Sequence, residues 1–541
     1  MAIVGVKIGR GAAAVATNTA VGASALNANT TGLQNTAVGQ LAMRDTTTGQ
    51  ENTVIGRAAL YQNTTGSTNT AVGVFALQAN TTASNNTAVG YQAGNSNTTA
   101  VGITAIGTEA LYSNTTGYNA AVGYRALYLN TTGTDNVAIG GSTGAASAAL
   151  RYNTTGSNNT AVGTGALTSN TTAGSNVAVG YQAAFSNTTG SSLEAFGNEA
   201  LRSNTTGNYN SAFGFYALYA NTTGSRNVGV GRGALAANTT AGNNISIGIS
   251  SMNNNTTGAN NVAIGDTALF ANTTASNNTA VGYQAGYSNV LGSYNTFIGY
   301  QAGYSTTGNP NGRNVFVGEW AGYSNTTGRW NTYLGHYAGQ AMTTGVANCI
   351  LGRYDGNMSG IDIRTANNNI ILADGDGNVG IRSSLNRETN GGTQVTTIVQ
   401  RALGMGSGSA AVALGLMVCG NDNDRNTAVR YAVPYATNKW EHGNLWIKIS
   451  SGKGDASLNS AAWYFYRIAM YNGSLGASLA DSGGDTGSFT ITISDDGDSA
   501  VYSNTMLLGI LGQSTTVAAD NTVMQCNFTW YNGSYEAWRY A

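Results

Sequence analysis

The chain has 541 residues, a formal net charge of -1, 75 glycines, 2 prolines and only 9% charged residues, against roughly a quarter in an ordinary globular domain. Abundant glycine without proline excludes collagen, and 41% apolar residues exclude a disordered chain. Lysine is absent between Lys7 and Lys439, so the chain lacks the cationic footprint of a nucleic-acid-binding protein or of one held to an anionic membrane.

Residues 1–19 carry Lys7 and Arg10, followed by the apolar run Ala12 to Ala16. That run is too short for the core of a secretion signal, and a cap or attachment segment is expected. No stretch approaches the roughly 20 apolar residues of a membrane span, so no membrane insertion is expected. The three cysteines, Cys349, Cys419 and Cys526, are odd in number and far apart, which predicts buried free thiols and no disulfide framework.

Residues 20–352 are a tandem repeat. Aligned on the glycine of Ala-Val-Gly, the period runs through Gly22, Gly39, Gly56, Gly73, Gly90 and onward through Gly180 and Gly282 to Gly352, and 16 of its 19 intervals are 17 residues. A short fixed period marks a solenoid, in which each unit buries its apolar face only on its neighbours. Val, Ile, Phe or Leu precedes the glycine, Ala follows three residues later, then Leu or Met, then Asn-Thr-Thr-Gly or Asn-Thr-Thr-Ala. A recurring glycine and β-branched pair fit no 3.6-residue period, so two short strands per coil are expected, with Ala and Val facing one Leu inside. Stacked Asn and Thr predict hydrogen-bonded ladders. At a strand spacing of about 4.8 Å the coils make a shaft on the order of 95 Å long. Its interior is thin, which predicts association of several chains along it. Six extra residues around Gly141 to Ala146, and two near Pro310, read as outward bulges on an intact stack. From Gly282 the Leu position becomes Gly followed by Tyr (Gly286-Tyr287, Gly303-Tyr304, Gly322-Tyr323), which predicts aromatic filling near the end of the shaft. The Asn-Thr-Thr sequons, such as Asn63, Asn114 and Asn204, would be glycosylated in a eukaryotic secretory protein. Their density without a signal peptide points to synthesis in a prokaryotic, that is bacterial, cytoplasm.

Units such as Asn278 to Asn289, NTAVGYQAGYSN, and Asn136 to Gly140, NVAIG, resemble the head repeats of trimeric autotransporter adhesins. The resemblance covers about 330 residues and implies a left-handed parallel β-roll of three interlocked chains. The secretion signal, coiled-coil stalk and membrane-anchor strands of that family are not in this sequence. Similar repeats occur in bacteriophage tail fibres, and that context is the one expected here.

Residues 353–385 are expected to close the shaft. Asp374, Asp376 and Asn378 have the alternate oxygen spacing of a calcium loop, but the far bidentate Glu is missing, so a tight turn is expected and no metal. Residues 386–541 contain apolar or alternating runs separated by turn clusters: TQVTTIVQ, AAVALGLMV, AVRYAVPYA, NLWIKIS, AAWYFYRIAMY, SFTITIS, NTMLLGIL and TVMQCNFTWYNGSY. Eight such runs predict an antiparallel β-sandwich or jelly roll. The fold class expected for the whole chain is all-β.

Five of the seven tryptophans lie in this last segment. Aromatic rings beside polar groups suit a pyranose, which has an apolar face and hydroxyls. Trp440, Trp446, Trp530, Tyr531, Trp538 and Tyr540 are therefore the candidate glycan-binding residues, set against the alternative of core or interface aromatics. Asp422, Asp424, Glu441, Asp485, Asp495 and Glu536 do not form a recognisable glycosidase pair. Two histidines, His336 and His442, are too few for a zinc site and no nucleophile elbow occurs; no enzyme activity and no cofactor are expected. Adjacent threonines would face opposite sides of a strand, which argues against ice binding. The sequence is read as a homotrimeric tail or capsid fibre of a virion, contacting other virion proteins at one end and a host cell-surface glycan through residues 386–541. A polysaccharide-cleaving tailspike, and a purely structural fibre with a trimerising end domain, are the alternatives.

Overall fold

The structure is a computed structural model that describes residues 8–141, 147–307, 310–358 and 361–385, together with the backbone of nine strands between residues 396 and 531. No helix occurs among the described residues. The chain divides into two compact units, Met1–Thr327 and Gly328–Ala541.

The first unit is a single parallel stack. Each coil contributes one strand, usually of three residues, and successive strands pair in register. Thr36–Val38, for example, aligns Ala37 with Val54 and Val38 with Ile55. The irregular coils keep this register. Ala138 still pairs with Ala161 across the 23-residue interval, and Phe297 with Phe316 across the 19-residue one. Along this unit the strand spacing makes a stack roughly 80 Å long. Its first coil is covered by the short strand Ile8–Gly9, which runs antiparallel to Thr19–Val21.

Two strands per coil were expected and one is found. The remainder of each coil is a chain of turns, because alternate residues adopt left-handed backbone: Ala58, Leu60 and Thr68 have φ of 52°, 49° and 55°. Those turns still bond to the next coil, as in Leu60 N–H to Ala76 O at 2.8 Å and Thr64 N–H to Thr81 O at 2.7 Å. Left-handed Leu costs about 1–2 kcal/mol. Burying its side chain completely offsets that with roughly 1.5–3 kcal/mol.

The interior also differs from expectation. In the coil after Gly56, Ala59, Leu60, Asn63, Asn69 and Ala71 are all fully buried. The valine-type residue before the glycine points outward, with Ile55 45% and Ile139 43% exposed. Strand alternation explains this: when the central Ala faces in, both flanking residues face out.

The Asn ladders are two. In one, the Asn63 Oδ1 accepts the Asn80 Nδ2 at 2.9 Å, and the same amide donates to Ala83 O at 3.0 Å. In the other, Asn52 Oδ1 accepts the Asn69 backbone N–H at 2.9 Å. Most of the buried amides are thus satisfied by neighbouring backbone and side chains, as buried polar groups require. In the 16-residue coil the Asn97 Oδ1 and the Asn114 Nδ2 lose each other and stay unpaired. The sequon residues Asn63, Asn114 and Asn204 are fully buried, so the folded ladder itself keeps them from a glycosylating enzyme.

The aromatic filling near Gly282 comes from strand residues. Phe297 and Phe316 take the place of the central Ala and are fully buried, while Gly286, Gly303 and Gly322 take the place of Leu. Tyr287, Tyr304 and Tyr323 are half-buried on the outside.

In the second unit, Thr332–Leu334, Cys349–Leu351 and Asn369–Ala373 are parallel, and Tyr333, Ile350 and Ile371 face inward. The stack ends where Asn369–Ala373 turns back antiparallel onto Val379–Leu385. Cys349, expected to be buried, is exposed because it occupies an outward strand position; Cys419 lies outside the described residues. Antiparallel strands follow. Thr396–Gln400, Met417–Val418, Thr522–Tyr531, Trp440–Ser451, Ala461–Tyr471 and Ser474–Gly483 pair in that order. Thr427–Pro434, Thr505–Gly512 and Phe489–Ser494 make a second sheet. Pro434 sits in a strand with one partner among the described residues, a position where a missing N–H is tolerated.

No charged side chain is buried among the described residues. Burial instead raises the Tyr333 hydroxyl, and pushes that of Tyr354 up to about 12. Both phenols stay neutral in the folded chain, so their contribution is complete below the ordinary tyrosine value near 10 and is lost as pH rises beyond it. Melting followed by circular dichroism is expected to be flat from about pH 5 to 9 and to fall steeply above about 10. A midpoint that drops between pH 9 and 5 instead would contradict this account.

Candidate functional site

The six aromatics nominated from the sequence divide into three groups. Trp538 and Tyr540 lie outside the described residues. Trp440 and Trp446 belong to the strand Trp440–Ser451, and Trp530 and Tyr531 to the strand Thr522–Tyr531. These two strands are direct antiparallel neighbours, so four of the six reach one sheet. The register pairs His442 with Tyr531 and Gly443 with Trp530, while Trp446 lies opposite Asn527 and Phe465. Trp530 is therefore three register positions from Trp446 along the ladder. Of the acidic candidates, Glu441 falls on the first of these strands, next to His442; Asp422, Asp424, Asp485, Asp495 and Glu536 lie outside the described residues.

The repeat glycines Gly39, Gly56, Gly73, Gly90, Gly180 and Gly282 have φ between 133° and 143°. A Cβ on any of them would overlap the carbonyl group of the glycine one coil further on. Their role is close stacking of backbone.

Asp374, Asp376 and Asn378 form a hairpin turn. Asp374 Oδ1 accepts the backbone N–H of Asp376 at 3.0 Å and of Asn378 at 2.8 Å, and its Oδ2 accepts the Asn378 amide at 3.0 Å. These bonds, with the Asn378 side chain foremost, hold the Asp374 carboxyl below its usual range. The carboxylate is committed to the turn. Among the described residues no group of three or more His, Cys, Asp or Glu is placed to hold a metal ion. Nor is any helix there long and apolar enough to cross a membrane.

Two surfaces were not anticipated. The first is the outward face of the parallel sheet, a strip of Val, Ile, Phe and Leu that includes Ile106, Phe196, Phe213, Ile264 and Ile298. The Thr-Ala-Val alternation already encodes it. The second is a set of aromatic and amide columns on the turns between Asp266 and Tyr323. Tyr283 and Tyr300, 46% and 44% exposed, stack at 5.3 Å, and Tyr300 meets Trp320 edge-on at 6.1 Å. Beside them Gln301 Nε2 donates to Gln284 Oε1 at 2.7 Å, and Trp320 Nε1 donates to Gln301 Oε1 at 2.8 Å. A third column stacks Phe270, Tyr287, Tyr304 and Tyr323 with centroids 5.2, 5.2 and 5.0 Å apart. The sequence signal was the Gly-Tyr-Gln-Ala-Gly-Tyr run; its tyrosines read as filling because nothing local tells an outward turn position from an inward one.

The chain matches no known protein family and no curated protein. Among solved structures it is similar to the Acinetobacter phage vB_ApiP_P1 tailspike protein, at 10% identity and a TM-score of 0.14, over 92% of this chain and 80% of that one. A likeness at this level carries no shared mechanism. With a tailspike protein as the match, however, the expectation from sequence that the chain is not an enzyme no longer stands.

Proposed function

We propose that this chain is a fibre protein of a bacteriophage virion that attaches to the host surface, with three copies joined along the outward faces of their stacks. The observation that carries this reading is the unbroken outward strip on an in-register stack. Rigid solenoids present long surfaces, and a strip roughly 80 Å long and 7 Å wide reaches the upper limit of what a monomer exposes. Other copies of the same strip are its natural cover, and a closed ring of three leaves none of it in water. The stack then acts as a spacer, with one end against other virion proteins and residues 386–541 presented to a cell-surface glycan. Three weak sites on one fibre gain avidity.

Cys349 occupies an outward strand position beside Thr332 and Ile370 in the second unit, and tests whether the chains are joined there as well. In a chain carrying Cys419→Ala and Cys526→Ala, a short bismaleimide is expected to link Cys349 between protomers. Three thiols around one axis allow one link, so covalent dimer should approach two thirds of the chains. Sedimentation should give about three times 55.2 kDa. A particle of single-chain mass with no cross-link would sink the trimer.

The attachment reading is tested by removing residues 386–541 and measuring adherence to host cells. Trimers that remain soluble but no longer adhere support a receptor-binding end. Loss of trimers alone makes that segment a clamp. A glycan array with the full chain names the ligand class, and reducing ends released in the same incubations would reveal polysaccharide cleavage.

A further inference from the structure

We propose that the tyrosine and glutamine columns between Asp266 and Tyr323 bind a linear, uncharged polysaccharide laid along the stack. This surface is independent of the C-terminal reading and stands or falls without it.

Five phenol hydroxyls, those of Tyr283, Tyr287, Tyr300, Tyr304 and Tyr323, crowd onto successive turns without a hydrogen-bond partner among the described residues. Two tyrosine hydroxyls elsewhere on the stack accept from arginines, Tyr219 from Arg202 at 3.2 Å and Tyr152 from Arg151 at 3.1 Å. The rings lie stacked, so they offer edges and hydroxyls outward, and hydrogen bonding dominates what they can do. Between the tyrosine columns, the Gln284–Gln301–Trp320 chain of hydrogen bonds fixes the amides in one direction and holds them as a rigid polar strip. Donors and acceptors thus recur at the coil rise of about 4.8 Å, a spacing set by backbone and therefore pre-organised. A polymer of repeated hydroxyls can follow such a row over several residues. A compact ligand would meet one or two coils only.

Charge selects the class. No Lys or Arg occurs between Arg232 and Arg313, while Asp266 and Glu319 occupy the first turn position at either end of the tyrosines. Acidic glycans meet the two carboxylates, and the one arginine of the segment, Arg313, is held over the Tyr294 ring 5.5 Å from its centroid, whereas neutral sugars find acceptors for their hydroxyls. Burial foremost, then the neighbouring tyrosines, raises the Tyr304 hydroxyl, which keeps it a donor at every physiological pH.

The test is native affinity electrophoresis of the full chain in gels containing mixed-linkage β-glucan, galactomannan or dextran, with alginate as the acidic probe. Retardation is expected in at least one neutral gel and not in alginate. Tyr283→Phe with Tyr300→Phe keeps the stack, so the fold should melt as before, but should weaken apparent affinity about tenfold. Tyr91→Phe with Tyr181→Phe, at the same turn position without a neighbouring tyrosine, should change nothing. The proposal is overturned if no neutral gel retards the chain, if alginate retards it as strongly, or if the Tyr283/Tyr300 variant is retarded as much as the parent. That last outcome would place the binding elsewhere, the C-terminal segment included.

Discussion

Replacing Gly180 by alanine is expected to destabilise the stack by about 4 kcal/mol or more, whereas Gly375→Ala should change stability by no more than about 0.5 kcal/mol. Gly180 has φ +139°, a region open to glycine alone. An added Cβ would also overlap the Gly197 carbonyl oxygen and lie 2.6 Å from the carbonyl carbon. The obstacle is backbone held by its own ladder, so no side-chain rotation relieves it. The overlap follows directly from how the coils bond, since Gly197 N–H reaches Val179 O at 2.9 Å and fixes the separation of the two glycines. Gly375, in the exposed turn after Asn369–Ala373, has nothing within 4 Å of its would-be Cβ. Urea titration gives the size of the effect. Because neighbouring coils contribute stability pairwise, limited proteolysis should cut the Gly180→Ala chain near coils 163 to 214 before any other part of the stack. A Gly180→Ala protein with the parent's urea midpoint and cleavage pattern would refute the stacking account.

The contrast shows why this fold was so readable. The period was legible because each coil needs a residue without a side chain at one place, and a 17-residue recurrence of glycine has no other simple cause. The strand count was misread for an equally physical reason. Asn-Thr-Thr is rich in β-branched residues and looks extended, yet Thr64 Oγ1 donates to Thr81 O at 3.1 Å and its backbone belongs to a turn. Left-handed Leu60 and Leu77, at 49° each, run against local preference and exist only because the next coil buries them. Tertiary packing decided that, and one coil's sequence does not contain it.

In the C-terminal segment all eight nominated runs contain strands. The strand missed, Ser474–Gly483, is Ser-Leu-Gly-Ala-Ser-Leu-Ala-Asp-Ser-Gly, without a β-branched residue. Its partner Ala461–Tyr471 and the intervening Asn472-Gly473 carry the hairpin signal. As for the sites, composition could point to aromatics, but register was needed to set Trp530 opposite Gly443 and Tyr531 opposite His442. The tyrosine columns of the stack required the fold outright, since their alignment comes from residues 17 or 19 apart in sequence becoming neighbours in space.

The aromatic end of the first unit makes the second large prediction. Phe297 is fully buried between two turns in which glycine stands where other coils have leucine. A Cβ on Gly286 would lie 2.6 Å from Phe297 Cδ2, and one on Gly303 would overlap the same ring. Ring and glycines are therefore one volume, divided differently from the Ala263 and Leu269 of an earlier coil, both fully buried. Phe297→Ala alone should cost about 4 kcal/mol, the usual result of emptying a packed site that cannot collapse. Gly303→Leu alone should cost about 3 kcal/mol, because the side chain enters space the ring occupies. Backbone does not forbid it, since Gly303 has φ 64° and Leu269 occupies the same coil position at 49°. With Phe297→Ala and Gly303→Leu combined, the introduced leucine should fill most of the space left by the ring, and the double variant should lie within about 2 kcal/mol of the parent. The remaining cost has two sources, left-handed leucine at about 1–2 kcal/mol and the lost contact between Phe297 and Phe316, whose centroids are 5.6 Å apart. The coupling is then about 5 kcal/mol, beyond the usual 0.5–3 kcal/mol for residues in contact, because the two changes exchange a single volume. Urea unfolding of the four proteins measures it. Strict additivity would mean that the coils relax independently and that the glycine-for-leucine exchange is not what admits the rings.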